Sequence, residues 1–275
     1  NFLTSIDGQY KPTANDTLDI QIMRSDTSMT DELIDDIKAN ASDEQTLRAD
    51  TVNSNDVAYQ LRYQHENRDW FFKASHENTG ENFRADLAFF NNSDKIKNVL
   101  GGGRIWRGSE SDWIHRIELN GDWDQTQNQN GEQIEQELEM YLNLSGQDQF
   151  FARHGFVIRD KAAGRIDESV LTIKNNVYEF TEKELRSWVE YKPTPNLWIG
   201  NFMSVGERID FANKQLADNF NFQPRFSWNI NTHLSSRLTY RYGELNDFDG
   251  SSILTTKLTD FRVTYQFSIR SFLRL

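Results

Sequence analysis

Apolar and polar residues alternate one for one along much of this chain, a period that gives a helix no single face to bury. From Phe261, the run FRVTYQF sets Phe261, Val263, Tyr265 and Phe267 against Arg262, Thr264 and Gln266. The same repeat sets Val57, Tyr59, Leu61 and Tyr63 against Ala58, Gln60, Arg62 and Gln64. Trp113, Ile117, Leu119 and Trp123 oppose Arg116, Glu118, Asn120 and Asp122, and Leu138, Met140, Leu142 and Leu144 oppose Glu137, Glu139, Tyr141 and Asn143. Near the C-terminus, Phe220, Phe222, Phe226, Trp228 and Ile230 oppose Asn221, Gln223, Arg225, Ser227 and Asn229. Leu234, Leu238, Tyr240 and Tyr242 likewise oppose Ser235, Arg237, Thr239 and Arg241. A strand turns successive side chains to opposite faces, so each segment reads as a strand with one greasy and one wet face.

The connections narrow the choice of all-β folds. Short polar turns are expected at 11–16, 66–69, 107–112, 145–149, 192–196, 231–233 and 268–270. Between them lie longer polar connections at 26–56, 79–94, 125–133, 160–178, 209–219 and 245–256. Tight turns at one end and longer loops at the other are the pattern of an up-and-down membrane barrel. The expected fold is therefore an all-β, antiparallel, up-and-down transmembrane β-barrel. About fourteen strands of roughly 9–11 residues fit this chain, each long enough to cross a bilayer at a tilt. The whole of 1–275 reads as outer-membrane barrel wall, with 26–56 as a long acidic extracellular loop. A β-sandwich or soluble barrel also alternates, but it has no reason to gather its long loops at one end. Trp70, Trp106, Trp113, Trp123, Trp198 and Trp228 are expected on the apolar face near strand ends, as an interfacial girdle.

The wet face carries the charge. Arg62, Arg116, Arg186, Arg225, Arg237, Arg241 and Arg262 fall there, as do Glu118, Glu135, Glu137, Glu139 and Glu190; Arg153, Asp19 and Asp122 share the parity. Burying so many ions in a dry core would cost several kcal/mol for each one left unpaired. A lumen filled with water or with paired charges removes that cost, so these twelve Arg and Glu residues are expected to line it. Residues 134–144 would supply an acidic ladder and 225–262 a basic one.

Composition agrees with a wall wet on one side. Only 37% of residues are hydrophobic, with a mean hydropathy of -0.74, yet 19 Phe, 9 Tyr and 7 Trp argue against disorder. A net charge of -12 makes nucleic acid an unsuitable partner, because phosphate binding needs a basic stripe. The absence of cysteine excludes disulfides and thiolate metal sites. No apolar run is long enough for a spanning helix, which leaves spanning strands open. The chain opens at NFLTSIDGQY without a leader-type segment, so an export signal is expected to be removed or to lie upstream.

Several motifs invite chemistry and fall short of it. The run LGGGRIW (100–106) lacks the Lys-Ser/Thr and the helix of a phosphate loop; glycines within a strand mark a bend, a bulge or close packing. Segment 27–50 is the one plausible helix, capped by Ser28 or Thr30 with Leu33, Ile34 and Ile37 as its stripe. Its Asp31, Glu32, Asp35, Asp36, Asp43 and Glu44 could attract Ca²⁺, but their spacing matches no EF-hand, and a solvated acidic loop is the simpler reading. His65, His76, His115, His154 and His233 sit in no H-E-x-x-H or nucleophile motif; His115 and His154 take the apolar parity. No catalytic residue, cofactor or metal site is expected.

The stretches NTGENFRADLAFF (78–90) and VLGGGRIW (99–106) resemble a family of bacterial outer-membrane β-barrels in which a carbohydrate-binding family-9-like domain precedes the C-terminal barrel. FNFQPRFSWNINTHLSSRLTYRYGEL and FRVTYQFSIRSFLRL resemble the same family's late hairpins. The resemblance implies a barrel larger than the strands present here, and it carries over no catalytic residues. The expected function is an outer-membrane barrel, porin-like, acting as a channel or as a scaffold for a partner. Its expected partners are outer-membrane lipid and a plug or partner protein in the lumen, with glycans suggested by the family's attached domain. A soluble or surface carbohydrate-binding β protein and an outer-membrane enzyme are the alternatives.

Overall fold

The computed structural model describes residues 2–28, 53–85, 93–162 and 179–275. They form fourteen strands: β1 (Phe2–Tyr10), β2 (Asp16–Ser28), β3 (Asn53–Glu66), β4 (Trp70–Thr79), β5 (Lys95–Arg107), β6 (Ile114–Gln127) and β7 (Gln133–Gly146), followed by β8 (Phe151–Ala162), β9 (Glu179–Thr194), β10 (Leu197–Asp210), β11 (Gln215–Asn229), β12 (Leu234–Asn246), β13 (Ser252–Ser268) and β14 (Ser271–Arg274). Each pairs antiparallel with its sequence neighbours, in the order β1 to β14 with no crossover. β1 and β14 are each paired on one side only. The sheet is therefore one open, antiparallel, up-and-down meander, in which β1 and β14 do not pair with each other.

Turn chemistry explains the tight ends. Asp148 and Gln149 both take positive φ (53° and 54°), and the Phe150 amide donates to the Gln147 carbonyl at 2.9 Å, the two-residue hairpin turn that matches strand twist. Between β3 and β4 the Asn67 side-chain oxygen accepts the Asp69 and Trp70 amides at 2.9 Å each. In the β12–β13 turn the Asp249 carboxylate accepts the Ser251 amide at 2.8 Å, which holds its carboxyl below the usual carboxylate range.

The register keeps one side of the sheet apolar from strand to strand. Ile22 faces Tyr59; Leu100, Trp123, Leu138 and Ile158 form one unbroken cross-strand row; Val205 faces Phe220, and Phe226 faces Leu238, which faces Phe261. Two residues nearer the other end on the same face, the row becomes Asn98, Gln125, Gln136, Asp160 and Thr181. Between these two rows the face of β5–β9 changes from apolar to polar while the strands go on pairing.

That overrun corrects two expectations. Most strands have 12–17 residues. Connections 128–132, 211–214 and 247–251 are correspondingly tight, since polar residues read as loop pair through their backbones as well as any others do. In the expected 26–56 loop, residues 26–28 and 53–56 belong to β2 and β3. The rest of that loop, with the helix and the acidic Ca²⁺ candidates Asp31, Glu32, Asp35, Asp36, Asp43 and Glu44, lies outside the described residues, as do 86–92 and 163–178.

Cross-strand rows also fix the strand tilt. One fully paired row runs Thr17, Gln64, Lys73, Gly101, Asp122, Glu139, Val157, Glu184, Gly206, Asn219, Leu245 and Leu254. Thr17 is one residue from the short-turn end of β2 at Asp16, whereas Leu254, eleven strands on, is 14 residues from the Ser268 end of β13. A climb of thirteen residues over eleven strand steps, at about 3.4 Å per residue and 4.8 Å per step, sets the strands about 40° off the normal to the line of short turns.

The glycine run 101–103 makes no bulge; its register to β4 and β6 is continuous. A Cβ at Gly103 would meet the Phe71 ring, and one at Gly101 would meet the Lys73 and Asp122 side chains, so neighbouring side chains fill the space the glycines leave. Gly206 is different: it holds φ +148°, and a Cβ there would overlap the Lys183 carbonyl. Gly206→Ala is expected to destabilise the fold by about 1–3 kcal/mol, read as a lower urea midpoint; an unchanged midpoint would refute this backbone geometry.

Candidate functional site

Opposite the apolar face lies the charged one, and the register places all twelve of the sequence-derived Arg and Glu residues on it. Arg62, Arg116, Glu118, Glu135, Glu137, Glu139, Arg186, Glu190, Arg225, Arg237, Arg241 and Arg262 share the side of the sheet occupied by the Thr17–Leu254 row. Trp198 lies there too, paired with Ser227, so it is not part of an apolar girdle. The other expected tryptophans keep the apolar parity, but Trp123 sits well inside β6, paired with Leu100 and Leu138.

The acidic ladder of β7 does not stand alone. On one level Arg159 pairs with Glu137, with Glu182 at 3.2 Å and with Glu135 at 3.8 Å, and Lys161 reaches Glu135 at 3.2 Å. Lys97 and Asp124 pair at 3.4 Å beside it. On the level below, Arg186 donates to Glu184 at 2.7 Å, to Glu139 at 3.1 Å and to the Tyr141 hydroxyl at 3.2 Å; Tyr141 itself donates to Glu139 at 3.2 Å. Arg208 adds a 3.6 Å contact to Glu184, the Arg153 guanidinium lies 3.7 Å over the Tyr141 ring, and Lys73 pairs with Asp122. Nearer the short turns Arg116 pairs with Glu118, which also accepts from Asn120 at 2.6 Å, and Trp188 donates to Glu190 at 2.7 Å.

This network depends on Gly155. Arg186 on β9 is the direct partner of Gly155 on β8, and Gly155 is the direct partner of Tyr141 on β7. With no side chain between them, the guanidinium reaches across a whole strand. The Glu184 carboxylate is nearly buried, at 5% exposure, and Arg186 is at 22%, so each partner keeps the other from being a desolvated lone charge.

The basic side is built differently. Among the described residues Arg237 and Arg241 make no ion pair, Arg225 lies 5.2 Å over the Trp188 ring, and Arg262 has only Asp260 at 3.8 Å. Arg62, also exposed, lies in register with Asp19 and Ser75. The two ladders expected from sequence thus differ in kind: one is neutralised, the other open.

Sequence reasoning missed Arg159, Glu182, Glu184 and Arg208. β8 hid its parity because Val157 stands on the charged face, and near their long-connection ends β9 and β10 no longer alternate regularly, with Phe180 on the charged face. One more feature was not foreseen. Residues 80–85 fold back over the charged face: Phe83 and Ala85 pack on Ala58 and Met23, the Asn82 amide donates to Asp56 at 2.9 Å, and the Arg84 amide donates to the Ser25 hydroxyl at 3.1 Å.

Asp16 and His65 form the nearest approach to a catalytic dyad, at 2.7 Å, with the Tyr63 hydroxyl also donating to Asp16 at 2.7 Å. They lie at the short-turn end of the apolar face, with His65 stacked 4.1 Å from Trp70 and its other nitrogen 3.3 Å from Asn67, so no hydroxyl stands where a nucleophile would. Among the described residues no group of three His, Asp or Glu could hold a metal ion. Comparison with known protein families, characterised proteins and solved structures finds no match.

Arg159→Gln leaves Glu135, Glu137 and Glu182 without their shared cation and is expected to cost about 1–3 kcal/mol. Arg241→Gln, on the open side, should stay within about 0.5 kcal/mol of the parent. Equal urea midpoints for the two variants would mean that the acidic ladder does not rely on Arg159.

Proposed function

We propose that this chain is wall of a bacterial outer-membrane β-barrel, its apolar face against lipid and its charged face lining an interior that conducts solutes or holds a partner. One observation carries the reading: large apolar side chains stay exposed along nearly every strand, among them Ile6, Ile22, Leu61, Leu100, Met140, Phe156, Val205 and Phe261. Soluble monomers rarely leave contiguous apolar patches above a few hundred Å² uncovered. No helix among the described residues is long and apolar enough to span a membrane.

Three features support it. From Phe220 to Trp228 the apolar face of β11 runs eight residue steps, about 27 Å along the strand and about 20 Å once tilted, close to the apolar band of known outer-membrane barrels. The tilt of about 40° falls in the range of such barrels. Aromatic residues gather at the short-turn end: Trp70, Trp106, Tyr265 and a chain of rings in which Phe150 lies 4.7 Å from Trp113 and 6.3 Å from Tyr191. The short turns would then lie on the periplasmic side. In this setting both sheet edges need further strands, because unpaired backbone is not tolerated in lipid. Apolar rings run the width of the sheet instead of gathering in one groove, which favours lipid over a sugar-stacking surface. The 80–85 segment on the charged face favours an interior partly filled at the long-connection end.

Met140→Arg, in the middle of the apolar face, is expected to weaken insertion by about 2–4 kcal/mol, whereas Gln64→Arg on the opposite face should insert normally. Flotation with liposomes reads the difference, and a parent chain that stays monodisperse without detergent refutes the reading. If the interior conducts, Glu135→Gln, Glu137→Gln and Glu139→Gln together leave Arg159, Lys161 and Arg186 unbalanced. The reversal potential in planar bilayers should then move toward anion selectivity; no movement would point to a filled interior.

A further inference from the structure

We infer that the charged face of β11–β13 is a binding site for small oxyanions, solutes bearing phosphate or carboxylate groups, centred on Thr239. Thr239 pairs directly with Arg225 on β11 and Asp260 on β13, and Arg237 and Arg241 stand two residues to either side on the same face. Arg237 is in turn the direct partner of Arg262. Arg237, Arg241 and Arg262 therefore cluster about one hydroxyl with a single carboxylate among them, in a chain whose net charge is -12, while the Arg225 guanidinium leans toward Trp188 on β9. Two like charges placed directly opposite across a ladder repel each other, and β11–β13 lack the carboxylates that neutralise the cations of β7–β10.

The surroundings are those of a receptor for anions. Two rows nearer the short turns than Thr239, Asn229, Ser235 and Thr264 share the face and form part of the lining of a cleft of about 560 Å³. These side chains offer hydroxyl and amide donors beside the guanidinium forks, the combination that holds oxyanions by several charge-assisted bonds. Arg225, held 5.2 Å over the Trp188 ring, joins the site when its guanidinium swings off that ring toward Thr239. The face lies opposite the apolar one, so the ligand comes from the aqueous side and not from a lipid headgroup.

The test is titration of the purified chain with inorganic pyrophosphate, followed by calorimetry in whichever medium, detergent or buffer, keeps it monodisperse. Saturable binding is expected, weakened at least about tenfold in Arg237→Gln/Arg241→Gln. Asp260→Asn removes the one competing carboxylate and should tighten binding severalfold, a gain that misfolding cannot imitate. Binding that is absent, or insensitive to both substitutions, overturns the site. Because the inference uses only the charged face, a chain that proves soluble yet binds pyrophosphate through these arginines would refute the membrane reading and leave the anion site standing.

Discussion

Everything in this molecule depends on a register that holds its phase through the body of every strand pair. Side chains in a strand alternate with period two, so a single-residue shift anywhere would carry apolar side chains onto the charged side and arginines onto the apolar one. Across the meander the pairing keeps Tyr59 against Ile22 and Phe261 against Leu238, and it tolerates irregularities only near strand ends, as at Ile114–Arg116 or Leu245–Asn246. The two faces are a consequence of that phase being held, and the rest of the structure is built on their difference.

The faces solve opposite problems. On one, apolar side chains are left uncovered across the sheet. On the other, most carboxylates of β6–β9 have a cation within reach, because β8 and β9 supply Arg159, Lys161 and Arg186 where β7 supplies Glu135, Glu137 and Glu139. The charged face is thus a balanced surface over β7–β10 and an unbalanced one over β11–β13. That asymmetry runs along the sheet, not between its ends.

The faces were legible in the sequence wherever one side was wet and the other greasy. Arg225 and Trp228, or Leu138 and Glu139, announce their sides by alternation alone. Legibility failed where both sides are wet: at 125–127 and 215–219 no contrast remains to separate strand from loop, although the backbone ladder continues through them. It failed again where the charged face carries apolar groups, as with Val157 in β8 and Trp198 in β10. The pairing of Arg186 with Glu139 could not be read at all, since it needs the relative register of three strands and the accident of a glycine between them. Alternation also says nothing of closure; that depends on what meets the free edges of β1 and β14.

The missing side chain at Gly155 has a mechanical consequence. Because Arg186 spans the gap above it to clasp Tyr141 and Glu139, the sheet cannot pivot about β8 without breaking several bonds at once. The β7–β10 panel is braced like a girder, while the arginines of β11–β13 carry few such ties.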